Sequence, residues 1–482
     1  MTLKQLSVAS ECAPFVKTGG LADVVGALGP VMSAHDVECR VLLPLYRQIG
    51  HLATGAKEVM NAGILFGGPV RVLAQREQGI DLLLIEAPHL YDRPGQIYLN
   101  ENGLDWADNH LRFGLLGWLG AEIGRSGVAG WRPDVIHAHD WQAGLVPVYS
   151  KQNGNPVPCL LTIHNIAFQG TFPATLMGML GLDPSGFTQD GFEYYGQISF
   201  LKGGLMLADR ITTVSPTYAR ELMTEEFGMG LEGVLAARKT DLIGILNGID
   251  TAVWDPATDR TIAQTYTSRT LAKKAVNKRA VLERFDLDPD TTAPLFSVIS
   301  RLSEQKGLDL ALQALPEILD RGARFVLLGS GTPELEQGFK ALAHRYPDSV
   351  GVEIGFDEDL AHLIQAGADA TLVPSRFEPC GLTQLCAMRY ATLPIVSVTG
   401  GLADTVIDAN EAALSTGCAT GIQFAPTTAE KLGDALDRAM AIYADTKAWR
   451  QIQRNAMKYP VSWDVSAQRM AQIYGKLAEV RA

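Results

Sequence analysis

Cysteine is scarce in this chain, with six residues among 482. They stand at positions 12, 39, 159, 380, 386 and 418, and none forms a C-x-x-C pair. So few cysteines exclude a fold held together by a disulfide framework and are typical of a reduced compartment. The first residues, MTLKQLSVASECAPF, contain no apolar stretch long enough for a signal peptide, so we expect a cytoplasmic protein.

The chain also lacks long apolar runs and has fewer basic than acidic residues. No uninterrupted apolar run approaches membrane-spanning length, and no Ser/Gly-rich linker interrupts the chain. Lys and Arg number 41 against 53 Asp and Glu, a net charge of -12. This balance disfavours nucleic acid and anionic membranes as partners, whereas it suits a neutral polymer such as a polysaccharide. A Walker loop and a G-x-S-x-G elbow are absent as well.

Short apolar runs alternate with helical patterns along the whole chain. Runs that are apolar along most of their length are typical of strands buried on both faces of a parallel sheet. The stripe of Leu21, Val24, Val25, Leu28 and Met32 predicts a helix after the first strand. We predict strands at Gln5–Ser10, Arg40–Leu43, Asp81–Glu86, Asp134–Ala138, Cys159–Ile163, Arg210–Val214, Leu242–Leu246, Leu295–Ile299, Phe325–Leu328, Gly351–Ile354, Ala370–Val373 and Pro394–Ser397.

These strands fall in two series, and a chain of 482 residues is too long for one ordinary core. We therefore predict an α/β fold of two doubly wound, Rossmann-like domains. The first is expected over residues 1–241 and the second over 242–464, with the break in the polar stretch Lys239–Asp241. Ligands of such sheets bind beyond the carboxyl ends of the strands, so two facing domains would form a deep cleft.

The first candidate loop, Lys17-Thr18-Gly19-Gly20, lies between the first strand and its helix. Glycine amides, a helix N-terminus and the Lys17 charge could together hold a phosphate. The alternative is an ordinary glycine-rich turn with a solvated lysine. The loop does not match the spaced-glycine dinucleotide fingerprint, which disfavours a nicotinamide dehydrogenase.

The second loop, Ser300–Gly307, carries Arg301 and Lys306 between a predicted strand and a helix over Leu308–Leu315. A guanidinium fork and a mobile ammonium suit a diphosphate leaving group. The alternative is a surface ion pair, with Glu304 as the local partner.

The third loop, Pro374–Thr383, also follows a predicted strand and opens a helix. Because proline is tolerated only near a helix start, Pro379 places the amides of Cys380 to Thr383 at an unpaired N-terminus. Glu378 beside them could accept sugar hydroxyl groups or stabilise developing positive charge. Alternatively, it could only cap the helix.

The fourth motif, His137-Ala138-His139-Asp140, ends another predicted strand, and alternation puts both histidines on one face. No further Cys/His cluster completes a metal-ligand set, so a polar strand end is favoured over a metal site. His164 follows the next strand and is expected at the same edge.

Several ordered motifs resemble the bacterial glycogen synthase and plant starch synthase family over essentially the whole chain. They are KTGGLADVVGAL at 17–28, YDRPG at 91–95, DNHLRFGLLGW at 108–118, HAHDWQAGL at 137–145, TIHN at 162–165, NGID at 247–250, SRLSEQKGLD at 300–309, PSRFEPCGLTQL at 374–385 and TGGLADTV at 399–406. The resemblance implies the two-Rossmann arrangement called GT-B, with the active site between the domains. It also implies a last helix, 465–482, that crosses back onto the first domain.

The resemblance further implies retaining transfer of glucose from ADP-glucose to the end of an α-1,4-glucan. With cations already available at Arg301 and Lys306, we expect no metal ion. The resemblance assigns roles at the diphosphate, the transferred glucose or acceptor, the sugar hydroxyls and the nucleotide base. Lys17 and Gly20 lie by the donor diphosphate and glucose, and Arg301 and Lys306 meet the diphosphate. The residues near the glucose or acceptor are Asp140, His164 and Asn247, and those that hold the sugar are Glu378, Cys380, Gly381, Leu382 and Thr383. Phe356 stands where the family usually has a tyrosine against the base.

Two departures from the family pattern are the displaced proline in Gly29-Pro30 and the phenylalanine at Phe356, which lacks the tyrosine hydroxyl. Two other functions stay open at this point. One is a related glucosyltransferase with a small acceptor, of the sucrose synthase type. The other is a non-catalytic glucan-binding relative, although Lys17, Arg301, Lys306 and Glu378 are all present.

Overall fold

The computed structural model describes residues 2–479, which form two compact units. The chain passes from the first unit to the second after Asn247 and returns at Trp463. Among the described residues, no helix has the length and apolar character needed to cross a membrane.

The first unit is an α/β layer structure whose sheet is covered by helices. Its strands are β1 Leu3–Val8, β2 Val37–Pro44, β3 Lys57–Leu65, β4 Gly68–Glu77, β5 Ile80–Glu86, β6 Val135–His139, β7 Cys159–Ile163, β8 Thr171–Pro173, β9 Glu193–Tyr194, β10 Gln197–Ser199, β11 Arg210–Thr213 and β12 Leu242–Gly244. Its helices up to this point are α1 Gly20–Met32, α2 Pro88–Tyr91, α3 Asn109–Ser126, α4 Leu145–Gln152, α5 Met177–Leu180, α6 Phe200–Leu207, α7 Pro216–Glu221 and α8 Glu232–Ala237.

Nine of these strands form one sheet in the order β12-β11-β7-β6-β1-β2-β5-β4-β3. The strands predicted from apolar runs are those with a parallel partner, and all of them except the edge strand β12 are largely buried. The antiparallel pair β3–β4 at the edge was not predicted. No residue of β3 is fully buried and β4 buries alternate residues such as Val70 and Val72, so neither strand forms a continuous apolar run. The hairpin turns through positive φ angles at Phe66 and Gly67.

The second unit is also an α/β layer structure, and its sheet is wholly parallel. Its strands are β13 Leu295–Ile299, β14 Arg324–Gly329, β15 Val350–Ile354, β16 Ala370–Val373, β17 Leu393–Ser397 and β18 Ile422–Phe424. Its helices are α9 Lys274–Arg284, α10 Leu308–Asp320, α11 Pro333–Arg345, α12 Glu358–Gly367, α13 Thr383–Arg389, α14 Gly400–Thr405, α15 Glu411–Thr416, α16 Ala429–Ala444 and α17 Thr446–Lys458.

The strand order β15-β14-β13-β16-β17-β18 is that of a doubly wound sheet. The order reverses between β13 and β16, which are hydrogen-bonded neighbours. Two chain segments leave the sheet side by side at this point, at the carboxyl ends of these strands.

The predicted boundary at 241/242 is wrong by about six residues. Strand β12, expected to open the second domain, pairs with β11 in the first unit, with Ile211 opposite Leu242. A single apolar run does not show which sheet accepts it, because that depends on a partner strand elsewhere in the chain.

The last described helix, α18 Asp464–Glu479, belongs to the first unit. Its apolar side packs against α1, where Met470 and Leu477 share a cluster with Val24 and Leu28. Residues 480–482 of the predicted helix lie outside the described residues. The displaced proline, Pro30, lies inside α1, which continues to Met32.

Candidate active site

The loops after β13 and β16 meet because the two strands are neighbours in the sheet. We call Ser300–Gly307 the β13 loop and Pro374–Leu382 the β16 loop. Lys306 Nζ lies 2.5 Å from Glu378 Oε2, although the two residues are 72 positions apart. The Ser375 hydroxyl donates to the same oxygen at 2.9 Å. Glu378 is therefore held by a cation and a hydroxyl group, and its other oxygen accepts no hydrogen bond from residues 2–479.

Arg376 fastens the two loops together. Its guanidinium donates to both carboxylate oxygens of Asp309 at 2.7 Å, a two-point contact, and to the Glu304 carbonyl at 2.7 Å. Its backbone amide donates to the Gln305 carbonyl at 2.9 Å. These contacts of Arg376 fix the distance between Lys306 and the β16 loop.

The sequence predicted a helix start at Pro379, but the helix after the β16 loop begins four residues later, at Thr383. Gly381 has φ +72°, a left-handed conformation that interrupts helical geometry and favours glycine. The amides of Gly381, Leu382 and Thr383 nonetheless lack an acceptor within residues 2–479. Because the helix begins at Thr383, Glu378 is too far away to cap it, which excludes that alternative.

The glycines of the TGGLADTV motif allow close approach to the β16 loop. A Cβ atom on Gly400 would lie 1.9 Å from the Glu378 carbonyl oxygen, and one on Gly401 would lie 2.1 Å from that of Cys380. The Gly401 amide donates to the Glu378 carbonyl at 3.1 Å. These glycines therefore support the backbone that carries Glu378.

Arg301 and Phe356 are exposed side chains of the second unit. Arg301 makes no ion pair within the described part of the chain, so the alternative pairing with Glu304 is not formed. Phe356 follows β15 and is 89% exposed, as a stacking surface for a planar ligand would be. The next residue, Asp357, caps α12 by accepting from the Leu360 amide at 2.9 Å.

The glycine loop, residues 17–20, lies beside β1 in the first unit. Lys17 is half-exposed and lies 2.7 Å from Asp23 on α1. The buried carboxylate of Glu11 accepts from the Thr18 amide at 2.5 Å and the Gly19 amide at 3.2 Å. These two amides are thus occupied by Glu11, so the Gly19 amide is not available for a phosphate as expected. The N-terminus of α1 at Gly20 is left for an external anion, which would share the Lys17 ammonium with Asp23.

Three buried histidines form a hydrogen-bonded cluster at the ends of β6 and β7. His137 contacts Tyr474 OH through Nδ1 at 2.7 Å and Thr162 Oγ1 through Nε2 at 2.6 Å. His139 contacts Ser7 Oγ through Nε2 at 2.9 Å and His164 Nε2 through Nδ1 at 3.0 Å. The rings of His137 and His139 lie 4.0 Å apart, on one face as expected.

These contacts use both ring nitrogens of His137 and His139, so neither is available as a metal ligand. Burial lowers the pKa of His137 and of His164 to about 3, and keeps both neutral at pH 7. His164 uses only Nε2, which leaves Nδ1 for a ligand. Asn247 and His164 line one small cavity in this unit, together with Trp463.

Asp140 directly follows β6 and has φ +55°, a conformation that is uncommon for a residue with a side chain. Its buried carboxylate accepts from the His164 amide at 2.7 Å and the Asn165 amide at 3.3 Å. Burial raises its pKa to about 7, although these two hydrogen bonds act in the opposite direction. Asp140 therefore fixes the backbone at His164 and titrates near neutral pH.

We expect Asp140→Asn to become increasingly stabilising, relative to the unmodified chain, as the pH rises from 5 to 8. The pKa is raised from 3.8 in the unfolded chain, so the folded state binds more protons between these values and loses stability as the pH rises towards 7. Asparagine keeps an amide-accepting oxygen and does not ionise. At about 1.4 kcal/mol per pH unit, the difference should grow by roughly 2–3 kcal/mol. Urea unfolding of both proteins at each pH measures it; a constant difference would contradict the burial of Asp140.

Acidic pairs with D-x-D spacing occur at 286–290 and 357–359, a pattern that can hold a metal ion on a nucleotide sugar. Here Asp288 accepts from the Asp290 amide at 3.0 Å, Asp290 pairs with Arg279 at 3.1 Å, and Asp357 caps α12. Over residues 2–479, no group of three or more His, Cys, Asp and Glu side chains is arranged for a metal ion. Asp288, Asp290 and Asp357 therefore have local structural roles.

Sequence reasoning missed Glu11 and Arg376, which hold the two sets of predicted residues in place. A signal existed for each: Glu11 is an acidic residue just after β1, and Arg376 lies inside a loop already singled out. Their partners, Thr18 and Asp309, could not be identified, because those contacts depend on the path of each loop.

Comparison with known proteins agrees with this architecture. Residues 4–237 match the family model described as the starch synthase catalytic domain, and residues 282–458 match glycosyl transferases group 1. The glycogen synthase of Roseobacter denitrificans is 57% identical over 98% of this chain and 99% of its own length. That of Rhodopseudomonas palustris (strain ATCC BAA-98 / CGA009) is 54% identical, with full coverage of both chains.

Solved structures agree as well. The catalytic domain of starch synthase IV from Arabidopsis thaliana, bound to ADP and acarbose, matches with a TM-score of 0.87 and 31% identity, covering 99% of this chain and 100% of that one. Sucrose-phosphate synthase from Thermosynechococcus elongatus matches with a TM-score of 0.61 and 18% identity, over 99% and 100% of the two chains, and shares the fold. This chain belongs to the bacterial glycogen synthase family, the glucosyltransferases of the starch and glycogen synthase type with the GT-B fold.

Proposed function

We propose that the chain transfers glucose from ADP-glucose to the non-reducing end of an α-1,4-glucan and retains the configuration at C1. The observation that carries this proposal is the Lys306–Glu378 pair beside the acceptor-free amides of Gly381 and Leu382. A cation and backbone amides suit a diphosphate, whereas a carboxylate suits sugar hydroxyl groups. The starch synthase neighbour was solved with ADP, which supports adenine as the donor base.

The proposed reaction needs no protein nucleophile. The bond between glucose C1 and the diphosphate oxygen breaks while the glucan 4-oxygen forms a bond to C1 on the same face. The departing diphosphate takes the proton of that 4-hydroxyl group. Arg301 and Lys306 stabilise the charge that develops on the diphosphate, so catalysis is mainly electrostatic.

The other predicted residues complete the assignment. Glu378 holds sugar hydroxyl groups and stabilises the oxocarbenium-like ring, while Phe356 stacks against the base. In the first unit we assign Lys17 and Gly20 to the diphosphate, and His164, Asp140 and Asn247 to the transferred glucose or acceptor. Cys380, Gly381, Leu382 and Thr383 present backbone amides. We expect the protein to act in the cytoplasm.

The test is glucose incorporation by the purified chain, with ADP-glucose and UDP-glucose compared on glycogen. We expect incorporation from ADP-glucose, and products that an α-1,4-specific hydrolase digests completely. Preferred transfer to fructose or a fructose phosphate would identify a small-acceptor enzyme instead. No transfer to any acceptor, combined with glycogen binding, would identify a glucan-binding protein.

We also propose that turnover requires no metal ion, because Arg301 and Lys306 supply positive charge for the leaving group. Treatment with excess EDTA followed by gel filtration should leave the rate within about twofold of the untreated enzyme. Loss of turnover that Mg²⁺ or Mn²⁺ restores would show that the two side chains do not suffice.

A further inference from the structure

Gln384, the second residue of α13, is wholly buried and bonds back to the β16 loop. Its Nε2 lies 3.0 Å from the Cys380 carbonyl oxygen and 2.9 Å from that of Gly381. The Thr405 hydroxyl is a third neighbour at 3.2 Å. One side chain thus holds two successive peptide groups of the loop.

The orientation of the following amides results from the planarity of the peptide bond. In a trans peptide the carbonyl of one residue and the amide of the next point in opposite directions. Because the Cys380 and Gly381 carbonyls point towards Gln384, the amides of Gly381 and Leu382 point away from it. These amides have no acceptor within the described chain, and both residues line a cavity of about 40 Å³ with Lys306 and Glu378.

Two further observations indicate that Gln384 holds the β16 loop through its NH₂ group and not through its Oε1 atom. Its Oε1 is buried without a hydrogen-bond partner among residues 2–479, which costs stability. A Cβ atom on Gly381 would lie 2.4 Å from this oxygen, so the loop closes tightly over the side chain. An apolar residue of similar size would fill the space without that cost but would release both carbonyls.

We propose that Gln384 is a positioning residue that aims the Gly381 and Leu382 amides at the donor diphosphate, in place of the sugar contact that the family resemblance gives them. This inference rests on the proposed function, since it assigns a supporting residue to the same anion. Gln384 itself does not touch the reacting atoms. It acts through two peptide planes that would otherwise be free to rotate.

The test compares Gln384→Met with Gln453→Met. Gln453 is a matched control: it is also buried in the second unit and its Nε2 donates to one carbonyl, that of Ala391, at 2.9 Å. Both substitutions should lower Tm. Only Gln384→Met should lower kcat, by about 10- to 100-fold, because misaimed donors lose their effect on developing charge. It should also weaken ADP binding at least fivefold in calorimetry, which a purely structural residue would not do.

Gln384→Glu provides a second variant if the methionine variant does not fold, since it keeps the shape and loses both donors. The inference is overturned if the unmodified chain transfers glucose while a folded Gln384 variant keeps kcat and the ADP Kd within twofold. It is also overturned if Gln453→Met reduces kcat equally. If the unmodified chain transfers no glucose, the proposed function fails instead. The ADP affinity of the Gln384 variants then still tests whether Gln384 orients the Gly381 and Leu382 amides.

Discussion

Lys306→Ala and Arg301→Ala should each reduce kcat by about ten- to several-hundredfold, with a smaller rise in the KM for ADP-glucose. The diphosphate gains negative charge as its bond to glucose breaks, so a cation is worth more in the transition state than in the ground state. A charge-assisted hydrogen bond contributes roughly 1.5–3 kcal/mol, which corresponds to this range of rates. Steady-state kinetics on folded variants measures the effect.

Two double variants sharpen this expectation. Arg301→Ala with Lys306→Ala should lose less than the sum of the two free energies, because both residues act on one group. Lys306 is also the cation beside Glu378, at 2.5 Å, so its removal leaves a buried carboxylate without a countercharge. Adding Glu378→Gln to Lys306→Ala removes that uncompensated charge, so the double variant should regain Tm but not kcat.

Lys278→Ala is the matched control for Lys306→Ala. Lys278 pairs with Asp369 at 2.7 Å, and Asp369 also accepts from the Leu295 amide, at the amino ends of β13 and β16. The same strands thus carry one Lys–carboxylate pair at each end. The control should lower Tm and leave kcat near normal. A raised KM with unchanged kcat in the Lys306 variant would show uniform donor binding and contradict its role in departure.

Glu378→Gln should reduce kcat by roughly a hundredfold or more while the fold is retained. The substitution keeps size and an accepting oxygen but removes the charge that faces the oxocarbenium-like ring. One carboxylate oxygen accepts hydrogen bonds from Lys306 and Ser375. The other accepts none within the described structure and is free for a ligand. Kinetics and thermal unfolding of the same preparation separate the catalytic effect from the structural one.

Asp369→Asn, at the opposite end of the same strands, is the matched control for Glu378→Gln. It weakens the ion pair with Lys278 and should therefore cost stability without a comparable loss of kcat. If Glu378→Gln kept normal kcat and only lowered Tm, Glu378 would belong to the framework and not to the reaction.

Much of the fold could be predicted because parallel strands buried on both faces leave apolar runs in the sequence. Strands β13, β14 and β16 were located to within a residue or two for this reason. The β3–β4 hairpin was missed because β3 has no fully buried residue and β4 buries alternate residues, so neither leaves a continuous apolar run. The assignment of β12 was wrong because strand pairing is not encoded within a single run.

The candidate site was predictable as separate loops but not as an arrangement. Lys306 and Glu378 were given separate roles, and their ion pair follows from the adjacency of β13 and β16. The late start of α13 depends on the left-handed Gly381, which Pro379 alone does not reveal.

The return of the chain to the first unit affects how the protein is made. Helix α18 supplies Met470, Ile473 and Leu477 to the core beneath α1, and Tyr474 to the Nδ1 of buried His137. A ribosome completes all of residues 248–462 before it adds this segment. Until this helix is released from the ribosome, a nascent first unit exposes the apolar residues beside α1, and His137 keeps Thr162 but lacks the partner of its Nδ1. The nascent chain is therefore prone to aggregation during this interval.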